Sequence, residues 1–280
     1  MTKMDDPSSE SPELSGKEEA EIEEHKPLRA AVIYEVIRGE GEGELARSVE
    51  ALWWSGLAAG LTIGLSVLSQ ALLATYLPET AWNEIIEPLG YSVGFIVVIM
   101  ARQQLFTENT LTAVLPVMKR MQLKWLIVML RLWAIVLVAN LVGCLIFAAT
   151  VYWTSMLPGE VVASVLEIGD HLLENNAAEM FVKGIAAGWL IAALVWVIPS
   201  ADNTAFFMIG LVAYVIALAG FTHVVAGSAE VFTLWFAGDA SASEVFLRFL
   251  FPTLLGNIVG GTVLFALISY AQVRAEIRNR

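Results

Sequence analysis

Residues 131–143 read RLWAIVLVANLVG, and residues 248–260 read RFLFPTLLGNIVG. The two stretches share an arginine and, at the same spacing after it, an asparagine followed by an aliphatic residue, valine and glycine. A match of this kind inside long apolar runs is typical of an internal repeat. The sequence therefore predicts that the hydrophobic part of the chain arose by duplication of one unit.

Two further pairs follow the same order along the chain. Residues 56–60, GLAAG, return at 184–188 as GIAAG, and residues 105–108, LFTE, return at 220–223 as GFTH. Each copy holds three apolar stretches, and an odd number of crossings makes the second copy enter the bilayer from the opposite side. Inverted repeats of this kind build transporters and channels, with the solute path where the repeats meet.

The composition predicts an integral membrane protein whose surroundings are the lipid bilayer. Apolar residues make up 57% of the chain, against about 45–50% in soluble domains. Nine tryptophans suit aromatic belts at two membrane interfaces. Six transmembrane helices are expected, with the second and fifth broken at the LFTE and GFTH motifs, and a polar loop over residues 158–179. The predicted spans cover residues 52–76, 90–104, 125–153, 181–198, 205–236 and 246–270.

The charge pattern divides the chain into three parts. The net charge is −12, and residues 1–50 hold half of all Asp and Glu, which predicts a disordered acidic tail ending in a short amphipathic helix. Residues 51–272 are the transmembrane channel domain, and residues 273–280 form a basic C-terminus. Lys and Arg cluster in the tail, at 119–124 and at the C-terminus, which favours a multi-pass membrane protein with both termini in the cytoplasm.

The two helix breaks are the candidate site. Non-helical backbone at membrane depth is tolerated only where protein or a water-filled cavity satisfies its amides and carbonyls. The hydroxyls of Thr107 and Thr222 can replace part of a solute's hydration shell, and His223 can exchange a proton near neutral pH. The alternative is that His223 is a buried residue with a structural role only. No cofactor and no metal site are expected, and the single Cys144 excludes a disulfide within one chain.

Apolar and acidic residues near the breaks complete the candidate set. Leu105 and Ile216 are expected to form constrictions that stop hydrated ions, with ordinary core packing as the alternative. Phe221 flanks the second break and is also a candidate constriction residue. Glu108, Glu179 and Glu230 are candidates for the vestibules. Glycines at every fourth position, such as Gly56 and Gly60, are expected to allow close helix packing or, alternatively, to line a pore.

These motifs together resemble the formate/nitrite transporter family over about residues 50–272, and residues 90–118 resemble its YfdC-type branch. The resemblance implies an aquaporin-like six-helix protomer in a homopentamer, with one pore per protomer for small monovalent anions such as formate or nitrite. It implies that His223 lies between two apolar constrictions and that Leu105 belongs to one of them. Tyr91, Phe95 and Ile216 fall near other constriction positions.

One departure from the family leaves the charge and identity of the solute undecided. Typical members carry an anion-attracting lysine before the fourth helix, whereas residues 166–180 contain none and include Asp170, Glu174 and Glu179. Lys183 lies further on and does not match that position. An acidic entrance would repel an anion. The candidate functions are therefore a channel for a small monovalent anion or its neutral weak acid, a channel for a neutral or cationic small solute, and a non-transporting structural or regulatory membrane protein. An enzyme or a nucleic-acid-binding protein is not expected.

Overall fold

The computed structural model describes residues 15–17 and 26–278. Residues 1–14 and 18–25 of the predicted acidic tail lie outside these ranges. All regular structure within the described ranges is helical.

The helices of the first half begin with a short one that precedes the first span. Their bounds are α1 Ala30–Ala46, α2 Val49–Tyr76, α3 Asn83–Ile86, α4 Pro88–Met100, α5 Asn109–Thr112, α6 Val114–Arg120 and α7 Leu123–Trp153.

The second half follows the same sequence of long and interrupted helices. Its bounds are α8 Gly159–Leu173, α9 Ala177–Val197, the 3₁₀ turns Ile198–Ser200 and Asp202–Thr204, α10 Ala205–Leu218 and α11 Val224–Ala237. The last helix, α12, runs through a π segment at Glu244–Leu250, an α segment at Phe251–Ile258, a second π segment at Val259–Ala266 and an α segment at Leu267–Arg278.

The described chain is that of a multi-pass membrane protein. Five helical stretches, with α3 and α4 taken together as one, are long and apolar enough to cross a bilayer, and the apolar helices α10 and α11 are shorter. Helix α2, for example, has 28 residues, which is about 42 Å at 1.5 Å per residue and exceeds a hydrocarbon core of about 30 Å.

The predicted loop at 158–179 is wrong, because residues 159–173 form helix α8. Its buried residues Val161, Val165, Gly169 and Leu173 recur at every fourth position and face α2 and α11. The acids that suggested a loop, such as Glu160 and Glu167, lie on the exposed face. Helical periodicity of the apolar residues, not mean polarity, was the signal to follow here.

Two equivalent glycine contacts bring the long helices of each half together. Helix α2 packs against α7, and α9 packs against α12. A Cβ atom added at Gly60 would overlap the backbone carbonyl of Asn140, and one added at Gly188 would overlap that of Asn257. These two glycines therefore serve close backbone packing and do not line a pore.

The asparagine side chains at these contacts hold both helix breaks. The Asn140 carboxamide accepts the Phe106 N–H at 2.9 Å and donates to the carbonyls of Gly56 and Gln104 at 2.8 and 2.9 Å. The Asn257 carboxamide accepts the Val224 N–H and donates to the carbonyls of Gly184 and Thr222, each at 2.9 Å. Each side chain thus satisfies polar groups freed where α4 and α10 end.

This bonding corrects the sequence alignment of the two breaks. Phe106 corresponds to Val224 and Gln104 to Thr222, so the counterpart of His223 is Leu105 and not Glu108. Arg102 and Gly220, with φ of 53° and 62°, occupy matching left-handed positions. The shared Phe-Thr letters misled the alignment because the register is set by the asparagine hydrogen bonds, which the letters do not encode.

The two repeated arginines both donate hydrogen bonds to backbone carbonyls. Arg131 donates to the carbonyls of Leu45 and Arg47 at 3.3 and 3.1 Å. Arg248 donates to the carbonyls of Asn175 and Glu174 at 3.0 and 3.4 Å. Each guanidinium therefore ties down the backbone that leads into the first long helix of its half.

Three segments that carry or adjoin the basic clusters lie at one end of the molecule. Lys119 and Arg120 bond Glu35 and Glu42 of α1 at 3.1 and 2.7 Å, and the rings of Tyr34 and Tyr270 approach to 5.9 Å. The hydrogen bond from Arg120 holds the pKa of Glu42 below its usual value, so this contact is ionised at neutral pH. Helix α1, the 119–124 segment and the last helix therefore face the same compartment.

We expect this shared end to be cytoplasmic. A cysteine introduced at Glu79, in the short loop after α2, should react with a membrane-impermeant thiol reagent added outside intact cells. A cysteine introduced at Ser8 should react only after the cells are permeabilised. Labelling in the opposite pattern would show that the shared end faces the outside of the cell.

The Asn257 carboxamide should be essential to stability. In Asn257→Leu, the buried Val224 N–H and the Thr222 carbonyl lose their partner, at about 1–3 kcal/mol for each unsatisfied group. We expect a clear fall in the melting temperature of the purified protein, measured by a thiol-independent thermal-shift assay. Asn203→Ala, at an exposed asparagine, is the matched control. Equal melting temperatures for the two variants would contradict the role of Asn257.

Candidate functional site

The centre of the molecule holds a hydrogen bond between the two helix breaks. His223 is the N-cap of α11 and is 1% exposed. Its Nε2 lies 2.7 Å from Oγ1 of Thr107, in the other break, and its Nδ1 accepts the Ala226 N–H at 3.2 Å. The two breaks therefore meet through one imidazole.

These two contacts determine where the ring carries its proton. A nitrogen that accepts a backbone N–H is unprotonated, so Nδ1 is the acceptor and Nε2 carries the hydrogen of a neutral ring. Nε2–H then donates to Oγ1 of Thr107. The Thr107 hydroxyl hydrogen has no acceptor among the described residues, so it can donate to a passing solute. A proton on Nδ1 would face the Ala226 N–H and would require that contact to open.

Aromatic and aliphatic side chains enclose this centre. The Phe95 ring meets the His223 ring edge-on, with centroids 5.0 Å apart, and the Tyr91 ring lies 5.2 Å from that of Phe95. Leu105 and Ile216 are fully buried. An apolar enclosure of this kind excludes hydrated ions.

A cavity of 270 Å³ lies on one side of the centre. Its lining includes His223, Tyr91 and Phe221 together with ionisable or polar residues: Gln70, Glu87, His171, Asn175, Lys183 and Glu230. Thr222 also lines it, but its hydroxyl donates to the Met180 carbonyl at 2.8 Å. That hydroxyl is therefore engaged in packing, in contrast to the hydroxyl of Thr107.

A larger cavity of 610 Å³ opens at the end that carries α1. Glu40, Glu44, Arg102, Gln104 and Glu108 are among its lining residues. Arg102 bonds Glu40 at 3.2 Å, and the Gln104 amide donates to Glu44 at 2.9 Å. Phe95, Leu105 and Ile216 are not among the lining residues of either cavity, and of these three Phe95 contacts the His223 ring.

The three candidate vestibule acids have different positions. Glu230 lines the 270 Å³ cavity and Glu108 lines the larger one. Glu179 lines neither. Its carboxylate accepts the Asn176 N–H at 2.8 Å in a capping box at the start of α9 and is exposed. The acids Asp170 and Glu174 also lie outside both linings.

Lys183 is the residue of this site that the sequence analysis passed over. It shares the 270 Å³ cavity with His223. It is the one Lys or Arg between Arg131 and Arg248 in the sequence. A lone cation inside an apolar span is costly and marks a functional position by default, so the signal was present.

Comparison with known proteins identifies relatives along most of the chain. The sequence profile of the Formate/nitrite transporter family matches residues 31–271. Inner membrane protein YfdC of Escherichia coli is 43% identical over 272 residues, covering 97% of this chain and 88% of its own. Formate channel FocA of Haemophilus influenzae is 28% identical over 236 residues, covering 75% of this chain and 82% of its own.

Two solved structures have the same fold. An FNT family ion channel superposes with a TM-score of 0.75 and 21% identity over 86% of this chain and 98% of its own. A pentameric formate channel with formate bound superposes with a TM-score of 0.67 and 21% identity over 81% of this chain and 98% of its own.

The protonation of His223 is directly measurable. In protein labelled with ¹⁵N-histidine, we expect the His223 ring at neutral pH to show an unprotonated Nδ1 and a protonated Nε2. Spectra of His223→Asn assign the signals by difference, leaving those of His25 and His171. A protonated Nδ1 in the resting protein would contradict the hydrogen-bond arrangement.

Proposed function

Because the chain belongs to the formate/nitrite transporter family, we propose that it is a membrane channel for a small monovalent anion or its neutral weak acid, with His223 at the centre of the pore. The relatives named formate channel and formate-nitrite transporter support this class of solute. The observation that carries the proposal is the buried His223–Thr107 hydrogen bond, which joins the two helix breaks beside Phe95 and the 270 Å³ cavity.

The geometry favours a solute that accepts hydrogen bonds. The free Thr107 hydroxyl hydrogen offers one bond to a carboxylate, nitrite or carboxylic acid oxygen, and the Nε2–H of His223 offers a second when its bond to Thr107 opens. The apolar side chains Phe95, Leu105 and Ile216 pass a neutral species more readily than a charged one. Proton transfer from His223 would first need a proton on Nδ1, and hence loss of the Ala226 contact.

We propose an aquaporin-like protomer of six spans in two inverted three-helix repeats, with the second and fifth spans broken. The matched asparagine, arginine and glycine contacts of the two halves support this arrangement. We place the protein in a bacterial inner membrane, as for the relative from Escherichia coli, with both termini cytoplasmic.

A neutral or cationic small solute is the second candidate. The 610 Å³ cavity is lined by Glu40, Glu44 and Glu108, with Arg102 as a lining cation. An excess of carboxylates attracts cations and disfavours anions. Flux of ammonium and glycerol, beside formate and nitrite, separates the two candidates.

Formate and nitrite flux into proteoliposomes should depend on His223 and Thr107. We expect His223→Asn to change the pH dependence of flux and Thr107→Val to lower flux by about tenfold, the value of one lost hydrogen bond to a charged solute. Thr222→Val is the matched control and should keep the flux while lowering thermal stability. A folded His223→Asn protein with unchanged rate and pH profile would make His223 a core residue only.

We propose a homopentamer, on the likeness to the pentameric formate channel. Native mass spectrometry of the protein in mild detergent should give five times the protomer mass of 30.5 kDa. A stable monomer or trimer under conditions that preserve activity would contradict this assembly.

A further inference from the structure

The last helix of the second half reaches the break of the first half through two threonines. Thr262, in the second π segment of α12, donates its hydroxyl hydrogen to the Thr110 carbonyl at 2.6 Å. Thr110, in the short helix α5 that follows the break, donates its own hydroxyl hydrogen to the Thr107 carbonyl at 2.7 Å. Hydrogen bonds therefore connect α12 through Thr110 and Thr107 to Nε2 of His223.

The close packing of α12 against α5 makes this connection possible. A Cβ atom added at Gly261 would overlap the Thr110 side chain, so the glycine lets the backbone of α12 approach Thr110. Gly261 and Thr262 lie in π-helix, a rare geometry that occurs frequently at functional sites. Thr110 and Thr262 line neither cavity, so any effect they have on a solute acts through another residue.

The Thr107 backbone is held on both of its sides. The N–H of the preceding residue, Phe106, bonds the Asn140 carboxamide at 2.9 Å. The carbonyl of Thr107 accepts both the N–H of Thr110, at 3.3 Å, and its hydroxyl hydrogen. The Thr107 hydroxyl oxygen accepts Nε2–H of His223. With its backbone and one lone pair engaged, the Thr107 hydroxyl has a defined direction for the hydrogen that it offers to a solute.

The second break has a comparable support of different chemistry. In the register set by the asparagines, Val225 corresponds to Thr107, and its carbonyl lies 3.3 Å from Sγ of Cys144 in α7. The last long helix of each half thus contacts the break of the other half. A thiol is a weak donor, and Val225 has no hydroxyl to orient. The two strong hydroxyl donors are found at the break whose side chain faces the solute.

We infer that Thr110 and Thr262 are positioning residues, which fix the Thr107 carbonyl and thereby the direction of the Thr107 hydroxyl at the centre of the pore. The consequence for flux rests on the proposed function, because it requires that Thr107 donates to a hydrogen-bond-accepting solute. The arrangement itself, from α12 to His223, does not depend on which solute passes.

Removal of either hydroxyl should slow transport without weakening entry of the solute. In proteoliposomes, Thr110→Val and Thr262→Val should each lower the maximal rate of formate and nitrite uptake about threefold, for the three staggered positions that an unrestrained Thr107 side chain can occupy. The concentration of half-maximal uptake should stay unchanged, because neither residue lines a cavity. Thr110→Ser and Thr262→Ser should keep the rate of the unmodified chain. The matched control is Thr253→Val, at a buried hydroxyl of α12 without a hydrogen-bond partner in the described ranges.

A double-variant cycle separates positioning from a general loss of structure. If Thr110 acts through Thr107, adding Thr110→Val to Thr107→Val should slow uptake no further than Thr107→Val alone. Thr262 is only partly buried, so Thr262→Val completes the same cycle if Thr110→Val does not fold. A further threefold loss in the folded double variant would overturn the inference and leave the proposed channel intact. Rates equal to that of the unmodified chain in both single variants would do the same.

A spectroscopic measurement tests the inference without any flux. In protein labelled with ¹⁵N-histidine, Thr110→Val and Thr262→Val should shift the His223 Nε2 signal and speed the exchange of its proton with water about threefold, because Thr107 is less often in place as its acceptor. Thr233→Val, which removes a buried hydroxyl bonded within α11, should leave both unchanged. An Nε2 signal unaltered in Thr110→Val and Thr262→Val would overturn the inference. The expected shift together with absent anion flux in the unmodified chain would overturn only the proposed channel.

Discussion

The fold depends on two buried carboxamides, those of Asn140 and Asn257. A helix that ends inside a membrane leaves amides and carbonyls that no water can satisfy, and each costs several kcal/mol in hydrocarbon. Each asparagine accepts one N–H from a break and donates to one carbonyl of the same break. The same side chain also ties the break to the glycine-lined helix that packs against it. Without these contacts, the freed groups of each break would be left unsatisfied in the buried centre.

The two halves of the chain make matching asparagine contacts but carry different side chains at the centre. The asparagine contacts place Leu105 and His223 at equivalent positions of the two halves, so one half contributes an apolar side chain and the other an imidazole. Thr107 then reaches Nε2 of His223 from the first break. The helix N-terminus of α11 holds Nδ1 through Ala226. The centre is therefore neutral and donor-rich, while the charged groups lie in the two cavities.

Much of the fold could be predicted from the sequence, because apolar length and period are strong signals. The long apolar helices could be predicted in this way, whereas Asn140 and Asn257 stood out only as matching letters of the repeat, without a predicted role. The helix at 159–173 is harder to predict, because its exposed acids obscure the buried residues Val161, Val165, Gly169 and Leu173 at every fourth position. The register of the breaks was missed because it depends on which backbone groups an asparagine can reach. Lys183 was set aside because it was compared by position, and a long side chain reaches a cavity from more than one position.

The central claim is that two asparagine carboxamides hold two helix breaks open around His223. The most direct test is a cryo-electron microscopy map of the full chain in lipid nanodiscs, at a resolution that shows side-chain hydrogen bonds. We expect helices ending at Met100 and Leu218, with Asn140 and Asn257 within hydrogen-bond distance of the amides of Phe106 and Val224, and His223 beside Thr107. A continuous helix through residues 101–108 or 219–223, or an Asn257 side chain turned away from Val224, would contradict it.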